Sequence, residues 1–420
     1  MAKVNAGLLE SDNQVIRKAW EAGLSILKPT RKELEHGLAL HRESLVFESY
    51  GFCPRAAVDG EALKAAIEAG ATSAELQDLT ENMTMTRQAD DPLEEKEFKE
   101  AWEASGVTAI FQNAGVESQD PMQIIKRLAR YTYITDKMRS FLLRATCAAD
   151  IERAKAEGRH CLFMSANGVP LLQRWNNLEE ELGYIKIFYQ LGVRMMHLTY
   201  NRRNMIGDGC SEPGNAGLSD FGRAVVAEMN RVGVIVDVAH SGWRTSLEAA
   251  QVSSRPMVAS HSGAAAVNHH IRCKPDEVIK AIADTGGYVG ICCIPAFLGR
   301  SGDINAFLDH IDYIVKKFGP DHVAIGTDVA YVSRQTVAER KKVPPTRRER
   351  PRWEGFWPPG AQEYTYPDQE TAATARQSLS WTNWPLFTVG MVQRGHSDET
   401  IRKILGGNVL RVVRAAEESR

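Results

Sequence analysis

From residue 14 onward, apolar positions recur every three to four residues: Val15, Ile16, Ala19, Trp20, Leu24 and Leu27. That spacing predicts a helix. Pro29 interrupts it, and Thr30 with Glu33 three residues on is a capping-box signature for a second helix through Leu40. The rhythm then changes. Short apolar runs alternate with helical stretches at residues 45–52, 107–112, 160–165, 193–200, 233–239, 256–260, 286–294 and 322–327. Several are apolar on both faces, as in Val234-Ile235-Val236 and Val289-Gly290-Ile291, which marks strands covered on both sides in a parallel sheet. Between them, Ser219 is a helix cap for residues 221–232 and Gly233 a stop; 246–252, 276–284 and 304–318 are further helices. Eight such units in one chain predict an α/β fold, a (β/α)₈ TIM barrel.

This divides the chain into a helical extension (1–40), the barrel (41–330), an irregular segment (331–378) and C-terminal helices packing on the barrel (379–420). Those last helices are expected at 379–394, 398–405 behind Ser397, and 409–418. The irregular segment carries Arg340, Lys341, Lys342, Arg347, Arg348, Arg350 and Arg352, then Trp353, Phe356 and Trp357. A loop of this length serves as a lid, a partner surface or a disordered stretch; the sequence leaves the three open.

Charge narrows the partners. Lys plus Arg is 51 and Asp plus Glu 53, a net charge of −2, which gives no pull toward nucleic acid or an anionic membrane. The absence of a long uninterrupted apolar run argues against a membrane span, and the polar residues 1–14 against a secretory signal. The 7 cysteines show no C-x-x-C spacing, so a reducing, cytoplasmic setting is expected and thiolate-bound structural zinc is not.

Barrel enzymes draw their working groups from strand C-terminal ends. The exits here offer Tyr50 and Phe52, Gln112 and Asn113, Asn167, Tyr200 and Asn201, His240, His261, and Asp328. Two neutral imidazoles on adjacent strands suit a divalent metal; buried structural histidines are the alternative. Asp328 suits a metal ligand or general base, or a helix cap. Asp237, inside its strand, is either an orienting group or a plain buried carboxylate.

At these residues the chain resembles the membrane (renal) dipeptidase family of the amidohydrolase superfamily. The resemblance runs through Phe221-Gly222-Arg223, Val236-Asp237-Val238-Ala239-His240-Ser241, Ala259-Ser260-His261-Ser262, Ala324-Ile325-Gly326-Thr327-Asp328 and Ile404-Leu405-Gly406-Gly407-Asn408, and covers roughly residues 40 to 418. It implies a two-zinc hydrolase of dipeptides and related amides. By resemblance, His240 and His261 match the second-zinc ligands, Asp328 the proton-transfer aspartate, and Arg272 the arginine that grips a substrate carboxylate. A homo-oligomer is expected on the same ground.

The departures alter that expectation. Tyr50 and Phe52 stand where the family's His-x-Asp pair holds the first zinc, Asn167 where a glutamate bridges the metals, and Tyr200 where a histidine polarises the scissile carbonyl. Having lost two carboxylates, the site cannot screen two close cations. The expectation is therefore at most one zinc or similar divalent metal on His240 and His261, with Asn167, Asp328 or water. Asp328, Tyr200 and Tyr50 are the candidate catalytic groups, and Arg272 and Asn201 the candidate substrate contacts. Three readings stay open: a one-metal hydrolase of a small amide or dipeptide-like substrate, a lyase or isomerase using acid/base chemistry, and a non-catalytic binding relative.

Overall fold

A computed structural model describes residues 9–115, 120–174, 176–345, 353 and 355–418. Its parallel strands are β1 (Phe47–Gly51), β2 (Ala109–Asn113), β3 (Leu142–Ala145), β4 (His160–Ala166), β5 (Val193–His197), β6 (Ile235–Asp237), β7 (Val258–Ser262), β8 (Tyr288–Ile291) and β9 (Val323–Ile325). Eight form the path β1-β2-β4-β5-β6-β7-β8-β9, and all eight predicted runs are on it. The two ends meet where the Asp328 N–H reaches the Tyr50 carbonyl at 3.4 Å, so the sheet is a nearly closed (β/α)₈ barrel. The ninth strand, β3, was not foreseen. It lies beside the first half of β4, pairing Leu142 with His160 and Ala145 with Phe163, and its four residues are too few to show an alternation.

Alternation along the strands sorts the core. Phe47, Phe111, Phe163, Met195, Ile235, Val258, Tyr288 and Ala324 share one cluster with Val409, Leu410, Val412 and Val413 of the helix Asn408–Glu417. This is the barrel interior, plugged at its base by the C-terminal helix. Phe111 stacks on Phe47 at 5.2 Å and meets Phe163 edge-on at 5.0 Å. Each such ring contributes roughly 1.5–3 kcal/mol by leaving water. Opposite-parity residues such as Ile110, Leu162, Met196 and Val236 pack outward against the helices.

The end of the chain differs in detail. Helix 379–394 begins only at Trp384, after a turn at Trp381–Asn383. The segment read as irregular contains the helix Gln369–Ser378, capped by Asp368 accepting from the Thr371 amide, and a single turn at Thr336–Arg340. The apolar positions of 369–378 are alanines, which carry little periodic signal. Arg347, Arg348, Arg350 and Arg352 lie outside the described residues. Among the described residues no helix is long and apolar enough to cross a membrane.

Candidate metal centre at the barrel mouth

One step above the aromatic plug, the inward positions turn polar. Met195 points inward, so two residues later His197 does too; Ile235 is followed in the same way by Asp237, and Val258 by Ser260. Strand register sets His197 directly beside Asp237. His197 Nε2 and Asp237 Oδ2 approach to 2.6 Å, close enough for an ion pair but without hydrogen-bond alignment. His197, Asp237 and His261 each bring a ligand atom to within 4.8 Å of the others.

His240 and His261 meet as expected, their Nε2 atoms 3.0 Å apart. His240 is held from three sides. Its Nδ1 lies 2.8 Å from Asn201 Oδ1, Tyr200 stacks on its ring at 3.9 Å, and the Arg272 guanidinium reaches its Nε2 at 3.2 Å. His261 Nδ1 lies 2.8 Å from Ser260 Oγ, and Tyr50 stacks on its ring at 3.8 Å. Burial holds both imidazoles well below the ordinary histidine range, and the nearby Arg272 charge adds to the effect. Both are neutral near pH 7, the form that ligates metal. For Asp237, burial pushes the carboxyl up, but the facing His197 and hydrogen bonds from Ser260 outweigh it and the net shift is downward.

Other expected residues are placed as follows. Asn167 is near the centre, yet its Oδ1 accepts from the Tyr50 hydroxyl at 2.6 Å. Arg272 is fully buried, donating to the Ala239 and His261 carbonyls. Asp328 sits half-buried at the lip with φ 58, in the left-handed region. A non-glycine residue held there is strained, a feature common at working sites. Lys274, not foreseen, is buried beneath the loop and donates to the Val238 and Ser241 carbonyls at 2.7 and 2.8 Å, bracing His240; burial lowers its pKa to about 7.

His197 was missed. The apolar run at 193–200 predicts a strand ending at Tyr200, whereas β5 ends at His197. The signal was available in the alternation: Met195 and His197 share a parity, and both face in.

The centre is roofed. Trp357, from the segment after the barrel, lies 6.4 Å from His240 and 5.8 Å from Phe297, and Phe297 in turn underlies the Arg272 guanidinium at 5.2 Å. Arg202 Nε donates to the Phe356 carbonyl at 3.0 Å, and His270 Nε2 lies 2.7 Å from the Ala361 carbonyl, tying that segment down over the mouth.

Fold and site together define a (β/α)₈-barrel protein with a metal-capable imidazole and carboxylate cluster at its C-terminal mouth. The chain belongs to the membrane dipeptidase family, peptidase family M19, whose sequence model matches residues 69–340. It is 27% identical to Dipeptidase tcpJ of Claviceps purpurea (strain 20.1) over 64% of this chain and 54% of that relative. It thus spans about half the length of the curated relatives it matches. Among solved structures, an amidohydrolase from Pseudomonas aeruginosa superposes with TM-score 0.65 at 25% identity, covering 90% of this chain and 98% of that one. The probable dipeptidase PvdM from Pseudomonas aeruginosa shares the fold, with TM-score 0.65 at 20% identity over 93% and 100% of the two chains.

Proposed function

We propose that this chain is a dipeptidase-like hydrolase of a small amide or dipeptide-like substrate, working with at most one divalent metal, zinc or similar. Family membership supports the reaction class. The observation that carries the metal reading is the convergence of His197, Asp237 and His261. Asp237 Oδ2 and both ring nitrogens of His197 are buried without hydrogen-bond partners, so they fit a metal ligand set better than a closed polar network. In this reading His261, with His197 and Asp237, holds the ion, and His240 borders it. Asn167, engaged by Tyr50, supports the wall. The Arg272 guanidinium beside His240 argues against a second cation.

A bound metal supplies Lewis acidity at the scissile carbonyl and activation of water. The chain's own residues do the rest. Asp328 at the lip accepts and returns a proton, Tyr200 donates to the developing oxyanion, and Tyr50 keeps His261 in place by stacking. Arg272 Nε and Asn201 Nδ2 are buried donors without partners, available to a substrate carboxylate. All seven cysteines are free thiols, which supports a reducing, cytoplasmic setting. A homo-oligomer follows from the family resemblance, and sedimentation of the purified chain tests it.

The second reading is acid/base catalysis without metal. It is favoured by Arg272, which already fills one side of His240 with positive charge. Metal content of the purified chain, measured alongside turnover of a dipeptide panel, separates the two. About one equivalent of metal, lost together with hydrolysis on chelation, supports the hydrolase. Turnover by metal-free protein supports the second reading and sinks the first.

A further inference from the structure

Of the candidate catalytic groups, Asp328 alone has a left-handed backbone, with φ 58. A residue with a side chain stays in that region only where its surroundings hold it there.

The residue before it is fixed at every polar atom. The Thr327 amide donates to Glu48 Oε1 at 3.1 Å, and the Thr327 carbonyl accepts from the Cys293 amide at 2.9 Å. The Thr327 hydroxyl is hydrogen-bonded to the same Glu48 oxygen and accepts from the Val329 amide at 3.3 Å. That last bond spans Asp328 and closes a turn around it. The chain leading into the turn is packed directly on β7: a Cβ at Gly326 would lie 2.1 Å from the Ser260 carbonyl oxygen, and one at Gly290 1.9 Å from the same atom.

Glu48 belongs to the other face of the barrel wall. It pairs in register with Ile110, which packs outward against the helices, and it is fully buried. Its second oxygen accepts from Trp381 Nε1 at 2.8 Å, in the turn Trp381–Asn383. A carboxyl in an apolar layer costs free energy that a leucine there would not. What offsets it is three hydrogen bonds, two of them to Thr327. Burial lifts the pKa of Glu48 to about 8, but the hold on Thr327 does not depend on its charge. The carboxyl and hydroxyl oxygens share one proton whichever of them carries it, and the Thr327 amide donates in either case.

We propose that Glu48 is a positioning residue: through Thr327 it holds Asp328 in its left-handed conformation at the lip, from a buried place outside the barrel mouth. That Asp328 moves a proton rests on the proposed function; that Glu48 sets its backbone does not.

The test compares full-length wild type with Glu48→Met, which keeps the bulk of the side chain and removes its acceptors, and with the pair Thr327→Val and Thr327→Ser. Crystal structures read φ at residue 328, amide hydrogen exchange reads the Val329 N–H, and kinetics on a dipeptide panel read kcat and KM. Glu48→Met and Thr327→Val are expected to release residue 328 from the left-handed region and to speed Val329 exchange by about 10-fold or more. They are expected to lower kcat by ~10–100-fold with KM within about threefold, as a misplaced working group does. Thr327→Ser keeps the hydroxyl and is expected to restore all three readouts. Thermal melts identify the variants that fold; should Glu48→Met not fold, Thr327→Val cuts the same link from the other side. Residue 328 left-handed and Val329 exchange unchanged in the folded variants overturns the proposal, as does Thr327→Ser behaving like Thr327→Val. Wild type that turns over no dipeptide removes the hydrolase reading, and the structures and the exchange still decide the role of Glu48.

Discussion

The two sides of the barrel mouth are built differently. On the side of β1, β2 and β4, the exits carry Tyr50, Phe52, Gln112, Asn113 and Asn167, none of them charged. Their polar side chains find partners within the fold: Tyr50 donates to Asn167, Gln112 donates to Tyr131 Oη at 2.7 Å and accepts from the Cys53 amide at 2.6 Å, and Asn113 accepts from the Gly115 amide at 2.8 Å. On the side of β5, β6 and β7 stand His197, Asp237, His240, His261 and the buried Arg272. Here Asp237 Oδ2, both His197 nitrogens, Asn201 Nδ2 and Arg272 Nε lack a hydrogen-bond partner, His197 Nε2 and Asp237 Oδ2 facing each other as an ion pair, whereas among the described residues of the first side Ser165 Oγ lacks one. A self-satisfied wall is a structural element. A wall with leftover donors and acceptors has something to bind. The positions that the family resemblance assigns to the first metal fall on the quiet side, which supports the proposal of at most one metal.

The strongest way to break this comparison is His261→Ala. Metal should fall from about one equivalent to none in elemental analysis, with hydrolysis lost alongside; retained metal would place the binding atoms elsewhere. Acid comes next. Burial lowers the pKa of His41, His160 and His310 to about 4, and those of His240 and His261 also move down. The unfolded chain takes up protons at these sites below about pH 6.5, whereas the folded chain does not. Stability contributed by their neutral forms is present above pH 6.5 and is lost as pH falls toward 4. A melting temperature flat from pH 7 to 4.5 contradicts that burial. Asp237→Asn should weaken metal by ~10–100-fold while the chain stays folded, read by competition with a chelating dye. Smallest is Tyr50→Phe, on the quiet side. It removes the hydrogen bond to Asn167 and should cost ~1–2 kcal/mol in denaturant unfolding without changing metal content. Metal lost in that variant would show that the two sides are not separable.

Much of this was legible along the chain. The capping box at Thr30 and Glu33, the Ser219 cap and the Gly233 stop are present as read, Gly233 at φ 91. Each depends on neighbours within four residues, so local chemistry suffices. The helix Gln369–Ser378 was hidden because alanine marks no face, and β3 because four residues give no period. The sequence of the segment after the barrel fits a lid, a partner surface or disorder alike; its Trp357 lies over His240, a contact between residues 117 positions apart that no local pattern encodes.

By itself the sequence determined the barrel, its strand order in the chain and the pair His240 and His261, because alternation and capping are set by near neighbours. Only the tertiary structure decided that β5 stops at His197, that His197 and Asp237 share one register level, and that Asn167 faces Tyr50 while Arg272 faces His240. Those facts follow from how far each strand is staggered against the next when the sheet closes. Stagger is fixed by packing across the whole barrel, from the phenylalanine plug below to the glycines that admit Ser260 above, and no single segment carries it.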